Sequence, residues 1–238
     1  MGIGATAQDV AYTTERTPDG YAILRSGTAL KTYGESPLLL PNAGLAEAVA
    51  EEWRLQQPGK PKPSKMPLMQ LAATALDITS KNRAAVIEEI MSHAATELLC
   101  YRAERPTALV ERQSHVWQPI LDWCALRFDA MLNTGQGMLV TQSPQALQAL
   151  RLAVESYDNF YLTGLKHAAE LSHSLVLGLA MAEQHMPTED VFQAAELESL
   201  YQIERNGEDA EAMQRHEAIR NDLEVCGRWF TLLRLRSV

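Results

Sequence analysis

Three cysteines in 238 residues, Cys100, Cys124 and Cys226, leave little to build on. Their number is odd and no C-x-x-C pair occurs, so the sequence points neither to a disulfide framework nor to a zinc knuckle. A reducing compartment is the simplest setting. Long apolar runs are also lacking. None approaches the roughly 20 residues needed to span a bilayer, and the longest uncharged stretch, Leu171 to Ala182, carries His173 and two serines. Positive charge is in deficit: 21 Lys and Arg against 30 Asp and Glu give a net charge of −9. That balance disfavours nonspecific attraction to nucleic acid or anionic lipid, and it suits a basic partner surface. The first ten residues follow neither the basic-then-apolar order of a secretory signal nor the Arg-rich order of a transit peptide. The expectation is a cytoplasmic protein without membrane insertion.

Catalytic signatures are missing too. The six histidines, at 93, 115, 167, 173, 185 and 216, include no H-E-x-x-H pair, and His167 and His173 fall on different faces of a helix. No metal is expected from that pattern. Gly2-Ile3-Gly4 has no strand before it, and Gly135-Gln136-Gly137 lacks the Gly-Lys-Ser/Thr end of a phosphate loop. No G-x-S-x-G occurs. Cys100, close to Arg102, has two readings: an activated thiol, or a buried cysteine closing a helix. No cofactor is expected.

What is present falls into two kinds of pattern. Residues 10 to 40 read as short strands, with Pro18-Asp19-Gly20 as a turn and Tyr21-Ala-Ile-Leu as the strand after it. Asn42 then caps a helix whose apolar face is Leu45, Val49 and Trp53. Residues 58–66 are a proline-punctuated, basic connector. From Pro67 the chain reads as helical. Ile87, Ile90, Met91, Ala94 and Leu98 form a stripe that runs into Tyr101 without a break, and Pro119 to Phe128 is a further helix. A hairpin or single extended excursion follows near residues 130–141, and Ser143-Pro144 opens the next helix. Part of 157–183 is a central helix, and a helix from Pro187-Thr188 ends at Asn206-Gly207. The last helix starts at Glu208-Asp209 and carries Met213, Ile219, Leu223, Cys226, Phe230 and Leu233 at core spacing. The fold class is α+β: a small N-terminal β-domain with the first helix (1–57), the connector, and a larger mainly helical domain (67–238).

Three places are candidate sites. Tyr101, Arg102 and Glu104 leave the helical pattern together just before Pro106, as binding residues do and as ordinary helix ends also do. Glu204, Glu208, Asp209 and Glu211 surround one turn. They read either as a solvated helix start, where negative charge is favoured, or as a docking patch for Lys and Arg of a partner. Trp53 ends an amphipathic stripe, which is core spacing first and a surface anchor second.

In this order the elements resemble the assembly chaperones of the F-type ATP synthase catalytic sector, specifically the branch that binds the alpha subunit. The matching blocks are Leu30-Lys-Thr, Pro37 to Pro41, Leu45 to Trp53, Met66 to Asp77 and Glu97-Leu-Leu-Cys-Tyr-Arg-Ala-Glu104. Val110 to Gln113, Trp117 to Trp123, Ser174 to Ala180 and Gly207-Glu-Asp-Ala-Glu-Ala212 continue the series. Together they span about residues 28 to 233. Two positions depart from the pattern: Asn206 stands where an aromatic is usual, and Gln118 where an acidic residue is common. The resemblance implies a non-enzymatic chaperone that holds newly made alpha subunit, shields the surface that later faces beta, and gives way as the hexamer forms. It implies a small β-domain followed by a larger helical one, and a bacterial cytoplasmic protein with the mitochondrial matrix as eukaryotic counterpart. Glu208, Asp209, Glu211, Glu204, Tyr101, Arg102 and Trp53 are the expected client-binding residues, and a monomer is expected. The alternative is a small hydrolase or transferase with a cleft between the two domains around Tyr101, Arg102 and His115, for which the sequence offers no nucleophile–base pair.

Overall fold

A computed structural model describes residues 11–57, 60–137, 139–207 and 209–235. The fold is α+β, and its described residues divide into two compact units, 11–78 with 232–235 and 79–231. The proline-rich stretch from Lys60 onward lies within the first.

In the first unit β1 (Tyr12–Thr17) and β2 (Gly20–Arg25) form an antiparallel hairpin in which Thr17 pairs with Gly20 across Pro18-Asp19. Gly20 has φ +143, and a Cβ there would lie 2.7 Å from the carbonyl oxygen of Leu40; glycine lets the turn close against its neighbour. β3 (Thr28–Ala29) and β4 (Leu39–Leu40) both pair with β2. Ile23, Leu38 and Leu40 are buried with the apolar face of α1 (Ala43–Arg54), as the spacing of Leu45 and Val49 requires. Asn42 caps α1 by accepting the amide of Leu45 at 2.9 Å, and its own amide donates to the carbonyl of Leu232 at 2.9 Å. That second bond ties the end of the chain to this unit.

α2 (Pro67–Thr74) begins without a side-chain cap of its own. The buried carboxylate of Glu52, on α1, takes that role by accepting the amides of Leu68 at 2.9 Å and Met69 at 2.8 Å. Unpaired amides at a helix start are costly when buried, so this carboxylate fixes α2 against α1. A π-type turn (Ala75–Thr79) follows, and its Asp77 accepts from the Thr32 hydroxyl at 2.8 Å and the Gly34 amide at 3.1 Å.

The second unit holds α3 (Arg83–Ala95), β5 (Tyr101–Arg102), α4 (Thr107–Phe128), β6 (Gly135–Gln136), α5 (Pro144–Glu155), α6 (Asn159–Ser172), α7 (Leu175–Ala182), α8 (Thr188–Ala195), α9 (Leu197–Asn206) and α10 (Ala210–Arg234) up to residue 231. Every residue of α7 is buried, and α3, α4, α6 and α8 pack around it. A helix that is apolar on all sides belongs at the centre.

The structure agrees with some sequence expectations for this unit and differs from others. α3 stops at Ala95, and Leu98–Cys100 is a separate 3-10 turn. The break turns Glu97 into the core, where its carboxylate accepts the amides of Leu99 and Val176 and caps α7. The central helix expected within 157–183 is α7; the rest of that span is α6, divided from it at His173 in the left-handed region (φ 53), with Ser174 capping α7. The helix expected over 187–206 is likewise two, α8 and α9, meeting at Glu196. α4 starts at Thr107, and Pro119 lies inside it; the proline removes a single amide from a ladder otherwise intact. The segment near 130–141 is one extended excursion: β6 lies parallel to β5, and Asn133 and Gln142 exchange hydrogen bonds that close the loop at its base.

Candidate interaction groove

α9 is amphipathic. Leu197 and Tyr201 are buried, while Leu200 and Ile203 are left half-covered beside them. α10 comes back along this flank, but its first buried side chain is that of His216. Its opening turns therefore project past the core. Met213, expected as the first member of the core stripe, is 47% exposed, and Ile219 and Leu233 are only half-buried. Between α8, α9 and α10 this leaves an open groove of about 690 Å³ with Phe192, Leu200, Ile203, Ala210 and Met213 on its walls and Glu217 and Arg220 at its edge.

His216, on the groove's lining, and its polar neighbours satisfy one another. His216 packs edge-on against Phe192, and its Nε2 lies 2.8 Å from the Ser199 hydroxyl and 3.1 Å from the buried carboxylate of Glu196. Arg215 reaches the same Glu196 oxygen at 3.1 Å. Arg220 lies over the Phe192 ring at 4.3 Å and pairs with Glu189 at 2.9 Å. Behind α9, Arg112 of α4 grips Glu204 with two nitrogens at 2.8 Å each and lies over the Tyr201 ring at 5.2 Å. That guanidinium holds the Glu204 carboxyl below its ordinary range.

Arg215 and Arg220 are thus paired within the chain with Glu196 and Glu189, which leaves Glu217 as an acid on the groove's lining without an ion pair among the described residues. Asp209 and Glu211 stand exposed at the start of α10, where an Asp209 oxygen accepts the Glu211 amide at 3.2 Å. Among the described residues Glu211 and Glu217 form no ion pair. Glu208, expected in the same patch, lies outside the described residues.

The other candidates sit elsewhere. Arg102 donates to the Gln113 carbonyl at 2.8 Å and to Gln118 at 3.2 Å, and its guanidinium lies over Trp117 at 5.4 Å. Gln113 in turn accepts the Ala103 amide and donates to Glu198 of α9 at 2.6 Å. Tyr101 is half-buried, with its backbone paired to Gly135. Glu104 and His115 are exposed. Trp53 belongs to the first unit, half-buried and stacked on Tyr12 at 5.9 Å. Cys100 is buried in the second unit, and burial pushes its thiol up to about 12, the opposite of activation. Among the described residues no three His, Cys, Asp or Glu are grouped to hold a metal ion, and no helix is long and apolar enough to cross a membrane.

A family model described as ATP12 chaperone protein matches residues 7–125. Solved structures similar to the chain include Atp12 from Paracoccus denitrificans and a point mutant of the same protein. Each is 33% identical, with 94% of this chain and 96% of theirs covered and a TM-score of 0.90. The Atu1473 protein from Agrobacterium tumefaciens is 31% identical over 94% of this chain and 84% of its own, with a TM-score of 0.87. These matches define a class of chaperones with a small N-terminal sheet and a helical body. The chain belongs to the ATP12 chaperone family. The resemblance carried by the ordered sequence blocks therefore holds at the level of the family. The groove of α8–α10 lies beyond the residues that the family model matches.

Proposed function

We propose that this chain is an assembly chaperone of ATP synthase that binds the unassembled alpha subunit of the catalytic sector, shields its interface, and releases it to beta as the hexamer forms. Membership of the ATP12 chaperone family supports the chaperone role. The observation that carries the binding site is the exposed apolar groove with Glu217 on its lining and the exposed acids Asp209 and Glu211 on either side of its wall residue Ala210. An unassembled subunit exposes an apolar interface that aggregates. A cap must cover it, yet yield to the larger native contact. An apolar recess with acidic edges does the first and leaves affinity adjustable through charge.

The client-contacting acids in this reading are Asp209 and Glu211, with Glu208 beside them. In this reading Glu204 orders α9 through Arg112, Arg102 holds α4 through Gln113 and Gln118, Tyr101 pairs with Gly135 of the excursion, and Trp53 supports the sheet of the first unit. Co-expression of the tagged chain with alpha subunit alone, followed by gel filtration, tests the proposal. The expected result is a one-to-one complex that changing Glu208, Asp209 and Glu211 together to Lys dissociates, with the melting temperature nearly unchanged. Absence of any complex with the unchanged chain overturns the client assignment.

A further inference from the structure

The groove between α8, α9 and α10 combines three features that restrict what can fill it. Its walls are apolar side chains of different shape, Phe192, Leu200, Ile203 and Met213, and a thioether adapts to more than one occupant. His216, on its lining, already bonds to Ser199 and Glu196 behind it, so its ring does not wait for a small polar ligand. Of the charged side chains on its lining, Arg220 is neutralised in place by Glu189 whereas Glu217 is exposed, and Asp209 and Glu211, on either side of the wall residue Ala210, are exposed as well. The groove is greasy within and negative at the mouth.

We propose that this groove takes a basic amphipathic segment of the client chain: an apolar side chain seats between Ile203 and Met213, while Lys or Arg residues within a turn of it meet Asp209, Glu211 and Glu217. The proposal rests on the client reading above and specifies its recognition chemistry. A helix laid in a groove with charges along its flank is a common mode of peptide recognition. Phosphate-bearing partners are repelled by the same acids. A second copy of this chain is disfavoured as well, because a two-fold contact sets acids against acids. The volume of about 690 Å³ falls within the roughly 300–1,000 Å³ of ligand clefts.

The test uses the full chain and two fluorescein-labelled helical peptides, one of leucine and lysine and one of leucine and glutamate, read by fluorescence anisotropy. The leucine–lysine peptide is expected to bind and the leucine–glutamate peptide not to. Met213→Asp is expected to weaken binding by at least about tenfold with an unchanged melting curve, since this side chain is largely exposed. Leu126→Asp, at an exposed leucine on α4, is expected to leave binding unaltered. Equal binding of both peptides, or undiminished binding by Met213→Asp, overturns the proposal. Capture of alpha subunit by the same variants separates the two claims. If Met213→Asp captures alpha normally, the groove is not the client's seat although the client reading stands. If the unchanged chain captures no alpha while the peptide pattern holds, the client reading falls and the groove's chemistry survives.

Discussion

The carboxylate of Glu97 accepts the amide of Val176 at 3.1 Å across 79 residues of chain. It also accepts the amide of Leu99 at 3.2 Å, so one fully buried acid joins the turn after α3 to the start of the central helix α7. Glu52 does the corresponding task in the first unit. Each unit therefore seats a buried helix start on a carboxylate from another helix or turn, where an unpaired buried amide would otherwise oppose folding.

Glu97 makes stability depend on pH. Burial is the main cause that raises its pKa to about 7, against the opposing hydrogen bonds from Ser174 and the backbone amides. Between about 4.5 and 7 the folded chain holds a proton that the unfolded chain has lost. The contribution of this group is complete below about 4.5 and is lost as pH rises through 7. Melting temperature measured across that range is expected to fall with rising pH, and Glu97→Gln to flatten this decline. An unchanged pH profile in the variant contradicts the assignment.

Glu52→Ala leaves the amides of Leu68 and Met69 without acceptors. The expected loss is roughly 1–3 kcal/mol, read from chemical denaturation. A midpoint identical to that of the unaltered chain would mean that α2 finds another cap.

Gly164 on α6 is a point of close approach to α10. A Cβ there would lie 2.6 Å from Cδ1 and 2.9 Å from Nε1 of the buried Trp229, whose indole donates to the Phe160 carbonyl at 3.0 Å. Gly164→Ala is expected to destabilise by about 1–3 kcal/mol through overpacking, despite the better helix propensity of alanine. A gain in stability would show that Trp229 moves aside at little cost.

Trp53 is half-buried against Tyr12, and its indole N–H has no acceptor among the described residues. Truncation loses packing and no hydrogen bond. Trp53→Ala is expected to cost less than the ~3–5 kcal/mol of a fully buried tryptophan and to leave alpha-subunit capture intact. A variant that melts normally and captures nothing returns Trp53 to the binding surface.

Much of the fold was legible because its signals are local. The hairpin through Pro18-Asp19, the Asn42 cap and the Ser143-Pro144 start all lie within a few residues of what they control. The misread helix ends have distant causes: Glu97 turns inward because α7 needs a cap, and α7 has no polar face from which its limits could be read. The groove was hidden as well. Met213 shares its apolar character and its helix with Leu223 and Cys226, yet it lies 13 residues before Cys226 and is 47% exposed where Cys226 is buried. The acids at 209 and 211 were visible as a cluster, whereas the bond of Glu204 to Arg112, 92 residues away, was not.

The central claim is mole-for-mole protection of one client. Light scattering of unfolded alpha subunit diluted into buffer, against a series of concentrations of this chain, tests it most directly. Protection depends on buried interface and not on turnover, so scattering is expected to fall in proportion to added chain and to vanish near one equivalent. Neither nucleotide nor EDTA is expected to alter that endpoint. Full protection at a small fraction of an equivalent, or none at several equivalents, would contradict the account.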